Sequence, residues 1–425
     1  MRVAVVGLGA AGMRAAMLLE KAGAKVSLFE ARKRLGGRIS TIRSGSAIYD
    51  AGGEWLDADH CRALQLLQEL GIEPDRASSW PGRVLFDGHE CTADTLWTEA
   101  LEDDLRVEAV AREMCRDLEE VPWKNAHRKE WDKRTLADFL RENTSSKRGL
   151  WWVWANCRSD EGDDPDEVSL LGWLCGYLHY LEREEHSMSA YRVPGGMGSM
   201  IDAIADRLVA KPHLGTVLQR VRQDSESVYL EFDTHEVEVD RVVLTLPPPA
   251  LEKVIFEPAL PGAKRCAIEA CRMSRAIKIC WEFDSFWWRD EGWTGSLHYD
   301  GPLQQLWDAT RSEAPVLAAY VCGDDAVRWT KMADPVGEGL GELTRILPQA
   351  GAHFVRGWIH DWIDDPYSYG AFSSLAPGYA LEYMRHIGTP EGRIHFAGDH
   401  ACIRTGFIEG ALESGERVAE EVLNA

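Results

Sequence analysis

The chain has 425 residues, 45% of them hydrophobic, and a formal net charge of −22. That length exceeds one simple core and points to two or three structural units, and the apolar fraction is that of a folded globular protein. The acidic balance excludes a nucleic-acid surface, which needs basic charge to displace counterions, and argues against docking on anionic lipid. It would favour the approach of cationic small molecules.

Ten cysteines are present without a C-x-x-C pair, a pattern expected of reduced thiols in a reducing compartment. Met1 is followed at once by the strand-like "RVAVVG", so no signal or transit peptide is expected. No apolar run approaches the length of a membrane span, so a soluble, cytoplasmic protein without a membrane partner is expected.

"VAVVGLGAAGMRAAMLLEKAGAKVSLFEA" reads as a strand, a glycine turn, a helix and a second strand. Gly7, Gly9 and Gly12 form G-x-G-x-x-G directly after the strand. Gly7 permits the tight turn, Gly9 lets a pyrophosphate approach the backbone, and Gly12 allows close packing of helix on strand. Phosphates would sit at the positive end of the helix, and Glu30 closes the second strand, where a carboxylate can accept from ribose hydroxyls.

The motif alone does not choose between NAD and FAD. "EARKRLGGR" (Glu30 to Arg38) resembles the second pyrophosphate contact of FAD-dependent oxidoreductases, with paired glycines Gly36 and Gly37 and a phosphate-neutralising Arg38. "DAGGEWL" (Asp50 to Leu56) resembles the segment beneath the flavin ring in the same enzymes.

Residues 76 to 190 read as mainly helical, through "RVEAVAREMCRDLEEV" and "SLLGWLCGYLHYLERE", with "SDEGDDPDE" (Ser159 to Glu167) between them as an acidic surface loop. Further on, "AIKICWEF" (Ala276 to Phe283) alternates apolar and other residues with the period of a half-buried strand, and carries Lys278 in its middle. "IHFAGDHACIRTGFIEGALESGERVAEEVL" closes the chain as a short strand and a helix.

Together with "VPGGMGSMIDAIADRL", "GTVLQRV", "DRVVLTLPPPAL" and "WIDDPYSYGAF", these stretches resemble the flavin amine oxidase family. Monoamine, polyamine and L-amino-acid oxidases belong to it. The resemblance implies an α/β fold: a Rossmann-like FAD-binding domain interleaved with an α+β substrate domain, a mixed sheet flanked by helices. Residues 1–75, 191–250 and 385–425 would form the first, and 76–190 and 251–384 the second.

It further implies FAD contacts from Gly7, Gly9, Ala11, Gly12, Glu30, Ala31 and Arg32 at the first turn. Gly36, Gly37, Arg38, Gly52, Gly53, Glu54 and Trp55 would follow along the dinucleotide. Leu218 and the C-terminal Gly398, Asp399, Gly406, Phe407, Ile408 and Ala411 would complete the site. Ala371 stands where covalently flavinylated relatives carry a cysteine, so the FAD is expected to be non-covalent.

By the same resemblance Lys278 holds a water against flavin N5, Phe372 and Phe407 flank the amine as an aromatic pair, and Trp362 packs near the lysine. The implied reaction is hydride transfer from the amine-bearing carbon to N5, hydrolysis of the imine, and reoxidation by O₂ to H₂O₂.

Glu54 and Trp55 occupy the position where L-amino-acid oxidases place a carboxylate-gripping arginine. Asp57 falls where polyamine oxidases carry an acidic residue or histidine. A cationic amine, either a polyamine or a monoamine, is therefore the expected substrate. An L-amino-acid oxidase using Arg192 as its clamp is the alternative, followed by an FAD-dependent desaturase or isomerase. The resemblance leaves room for a homodimer. No metal is expected, since His386, His395 and His400 are not at paired-ligand spacing on one element.

Overall fold

The computed structural model describes residues 1–77, 82–181 and 188–425. Strands from both ends and the middle of the chain build a five-stranded sheet in the order Ile394–Phe396, Arg241–Leu244, Arg2–Val6, Lys25–Glu30, Pro212–Leu214. All four pairings are parallel. A parallel sheet is covered on both faces, which explains the near-continuous apolar run "VAVV" in its central strand. Val3 and Val5 pack with Met13, Leu19 and Leu412 on one side. Ala4 and Val6 pack with Leu230, Leu244 and Phe396 on the other. Helices Ala10–Lys21 and Ile408–Asn424, from opposite ends of the chain, lie against each other over this sheet.

A second sheet has seven strands, in the order Phe354–Asp361, Ala276–Phe283, Val316–Cys322, Gln305–Asp308, Leu297–Tyr299, Arg83–Phe86, His89–Thr92. It is mixed, with one parallel pairing, between Leu297–Tyr299 and Arg83–Phe86, among antiparallel ones. The Ala276–Phe283 strand corrects the expectation of a half-buried strand: all eight of its residues are buried. Ile277, Ile279, Trp281 and Phe283 join a core with Trp288 and Leu343, and on the other face Cys280 meets Ala47, Tyr49 and Ala318. The alternation records two different buried surroundings rather than protein and water.

Helices Thr98–Cys115, Lys147–Glu161 and Leu170–Leu178 share a separate core around Val107, Phe139, Val153 and Leu174. Residues 182 to 184, at the end of the expected second helical stretch, lie outside the described residues. The expected acidic surface loop is also corrected. Ser159, Asp160 and Glu161 finish a helix that Gly162 closes, and Pro165–Glu167 form a short 3-10 turn. Asp163 is buried because Arg275 pairs with it at 2.6 Å. The ten cysteines are free thiols. Among the described residues no helix is long and apolar enough to cross a membrane.

Candidate active site

A cavity of about 620 Å³ runs from the first glycine turn to a group of aromatic side chains on the seven-stranded sheet. At its near end the G-x-G-x-x-G turn packs so tightly that a Cβ on Gly12 would lie 2.0 Å from the Gly7 carbonyl oxygen. Gly12 therefore stands behind the wall, holding helix to strand, while Gly7, Gly9 and Ala11 line the cavity. Gly9 begins the helix with no side-chain cap. The first-turn N–H groups of such a helix have no partner within it, and they carry its positive pole, a ready seat for a pyrophosphate.

Glu30 is buried and ties the turn together: its carboxylate accepts from Leu8 N at 2.8 Å and from Arg32 N at 2.9 Å. Arg32, next to Ala31 on the wall, pairs with Asp365 at 2.5 Å. Gly36 N donates to Leu8 O at 2.8 Å, bringing the Gly36–Gly37 loop against the first turn. Arg38 pairs with Asp399, its Nη1 at 3.0 Å from Oδ2, and Asp399 also accepts from Ser373 N at 2.9 Å. Burial works to raise the Asp399 carboxyl, but Arg38 beside it holds it well below the usual carboxylate range. Leu218, Gly398, Gly406, Ile408 and Ala411 complete this part of the wall.

The far end is built on Lys278. Its Nζ donates to Asp50 O at 3.1 Å, Gly52 O at 2.9 Å and Glu54 Oε2 at 3.0 Å. An ammonium has three N–H groups, so these acceptors use its donors within the protein. Glu54 in turn accepts from Arg192 at 2.7 Å and from the Trp307 indole at 3.1 Å. Burial alone would raise its carboxyl, and Lys278 and Arg192 pull it below the ordinary range. Asp50, buried and facing the Glu54 charge, is pushed up to about 6. Trp362 Nε1 donates to Ala51 O at 2.9 Å, fixing the same turn from the other side.

Gly52, Gly53 and Trp55 lie on the wall beside Lys278, and Phe372 and Phe407 face the same cavity. Phe407 also meets His60 edge-on at 5.4 Å between ring centroids. Asp57 reaches the cavity but is buried, accepting from Ser189 N at 2.7 Å, with His60 Nε2 at 3.5 Å. Asp57, Asp59 and His60 bring ligand-type atoms within 4.8 Å of one another, though Arg404 already pairs with Asp59 at 2.8 Å.

Sequence reasoning missed Trp307, Gln305 and Tyr320, which share this wall. The signal is register: Tyr320 is paired with Lys278 on one side and with Gln305 on the other, so the three form a row across the sheet. Asp160, read from the sequence as part of an acidic surface loop that would draw cations, is brought to the cavity wall by the helix Lys147–Glu161. Its neighbour Glu161 lines a smaller pocket of about 60 Å³ behind Phe372 and Phe407, where burial pushes its carboxyl up to about 8.

A long glycine-lined cavity, an uncapped helix start and Arg38 together fit a flavin dinucleotide. Ala371 on its wall offers no thiol, in keeping with FAD held without a covalent link.

Comparison with known proteins agrees with that fit. A family model described as flavin containing amine oxidoreductase matches residues 10–423. Flavin-containing amine oxidase A of Sus scrofa is 28% identical over 457 residues, covering 100% of this chain and 85% of that protein. Flavin-containing amine oxidase B of Homo sapiens is 28% identical over 466 residues, with 100% and 86% covered. Cyclohexylamine oxidase from Brevibacterium oxydans IH-35A matches in structure with a TM-score of 0.90 at 25% identity, covering 100% of this chain and 98% of that one. A putrescine oxidase bound to putrescine matches with a TM-score of 0.90 at 23% identity and full coverage of both, a likeness of fold. By a match that spans nearly its whole length, this chain belongs to the flavin-containing amine oxidoreductases and is an FAD-dependent amine oxidase.

Proposed function

We propose that the enzyme oxidises a cationic amine without an α-carboxylate, a polyamine or a monoamine, according to R–CH₂–NH₂ + O₂ + H₂O → R–CHO + NH₃ + H₂O₂. One observation carries this reading. Among the described residues, every arginine and lysine on the cavity wall already has a partner within the protein. Arg32 is with Asp365, Arg38 with Asp399, and Arg192 and Lys278 both with Glu54. Lys253 donates to the Tyr369 hydroxyl at 2.7 Å. A substrate carboxylate at the Lys278 end would be desolvated where both cations are already tied to Glu54, which is costly. Arg192, the candidate clamp for an L-amino acid, also donates to Asp308 O at 2.8 Å and lies over the Trp55 ring at 4.4 Å.

An ammonium group is better served. Asp57 and Asp160 contribute acidic wall, and Phe372, Phe407, Trp307 and Tyr320 contribute ring faces that attract cations. FAD held along this cavity would supply the hydride acceptor for the amine-bearing carbon and the route for its electrons to O₂. The protein's own part is placement. Phe372 and Phe407 wall the amine, Lys278 and Trp362 fix the turn at residues 50 to 54, and the buried wall excludes water. A peroxide-release screen across monoamines, polyamines and L-amino acids tests the reading. Turnover of amines with L-amino acids inert supports it, and robust turnover of a neutral L-amino acid with polyamines inert overturns it.

A further inference from the structure

Glu54 is more than a neighbour of the cofactor. It lies 224 residues from Lys278 and 138 from Arg192 in sequence, yet one buried carboxylate bonds both, Oε2 at 3.0 Å and Oε1 at 2.7 Å respectively. The Trp307 indole N–H takes a further place on Oε2. A buried carboxylate keeps its charge only when hydrogen-bonded and paired, and this one is paired twice. On the other side, Lys278 spends its remaining donors on the Asp50 and Gly52 carbonyls, of which Gly52 lines the cavity.

We propose that Glu54 is a positioning residue that pins Lys278 to the turn at residues 50 to 54 and, shared with Arg192, sets the net charge of the reaction end of the cavity. Two cations and one anion leave this trio at +1, and the neighbouring Asp50 carboxylate, which none of the variants below removes, offsets that charge at pH 8. Lys278 then acts as a held charge and a backbone anchor. The inference rests on the reading of the cavity as the FAD seat beside Lys278.

The charge tally makes a pattern that a merely structural role would not produce. Glu54→Gln takes the trio from +1 to +2, Lys278→Met takes it to 0, and the double variant returns it to +1. The probe is the two-electron reduction potential of the bound FAD, measured at pH 8, above the range in which Asp50 titrates. A more positive surrounding favours the reduced, more anionic flavin. The potential should therefore rise in Glu54→Gln, fall in Lys278→Met, and return close to the wild-type value in the double variant. If Glu54→Gln leaves the potential unchanged or lowers it, or if the double variant stays with Lys278→Met, the proposal is overturned. Should Glu54→Gln fail to fold or to retain FAD, Arg192→Gln takes its place. It lowers the tally to 0 with the Lys278–Glu54 pair intact, and a potential that does not fall overturns the proposal equally. These readings need no substrate, so an enzyme that holds FAD but releases no peroxide from any amine would sink the proposed function and leave this test standing.

Discussion

Gly162 stands so close to the Phe372 ring that a Cβ placed on it would lie 2.4 Å from Phe372 Cζ. The glycine also has φ +67°, a conformation that side chains with a Cβ resist. The end of the Lys147–Glu161 helix thus seats one wall of the proposed amine site. Gly162→Ala should displace the ring and lower kcat/KM about ten-fold, although the substituted residue is 210 positions from Phe372. Phe372→Ala and Phe407→Ala, which remove a wall outright, should each lower it about ten- to two-hundred-fold. Wild-type kinetics in all three on the best amine would show that these rings do not orient the substrate.

Lys278→Met should leave FAD bound and slow the reoxidation step. It removes the cation and releases the Asp50 and Gly52 carbonyls from their shared donor. Stopped-flow reoxidation equal to that of the wild type would mean that the lysine serves the fold alone.

The purified protein should be yellow, and acid or heat should release its FAD intact. Ala371, on the cavity wall, has no nucleophile to form a covalent link. Flavin that stays with the polypeptide after denaturation would require a link at another residue.

Asp57→Asn should raise KM for a diamine more than for benzylamine, with the difference shrinking as salt is added. Asp57 is committed to Ser189 N, so its influence on a distal ammonium is a field effect across the cavity wall rather than a direct bond. Equal KM changes for both amines would remove Asp57 from substrate selection.

Glu161 carries a pH signature of its own. Burial raises its folded-state carboxyl from the ordinary 4.5 to about 8. Between those values the folded protein keeps a proton that the unfolded chain has lost, so this group's contribution to stability falls as pH rises from about 4.5 to about 8. Glu161→Gln should remove that dependence and stabilise the protein at pH 8 by up to about 4 kcal/mol. Thermal unfolding of wild type and variant between pH 5 and pH 8.5 checks it. Parallel curves would show that Glu161 is ionised in the fold.

Much of this molecule is legible along the chain, because its signals are local. The glycine spacing at Gly7, Gly9 and Gly12 specifies a turn between adjacent elements, and Glu30 closes the next strand. The period of two in Ala276–Phe283 marks a strand whatever covers it, and Lys278 is conspicuous in such a strand. What local pattern cannot carry is the identity of a partner far away in sequence. "SDEGDDPDE" has the composition of a solvated loop, and only Arg275, 112 residues on from Asp163, lets that carboxylate be buried. Trp307 and Tyr320 come to the cavity through strand register, a property of pairs of strands. Glu54 reads locally as one more residue of a flavin-facing turn. Its charge acquires meaning only where folding brings Lys278 and Arg192 to the same carboxylate, since an ion pair in a buried site is decided by the geometry of both partners and not by the sequence around either.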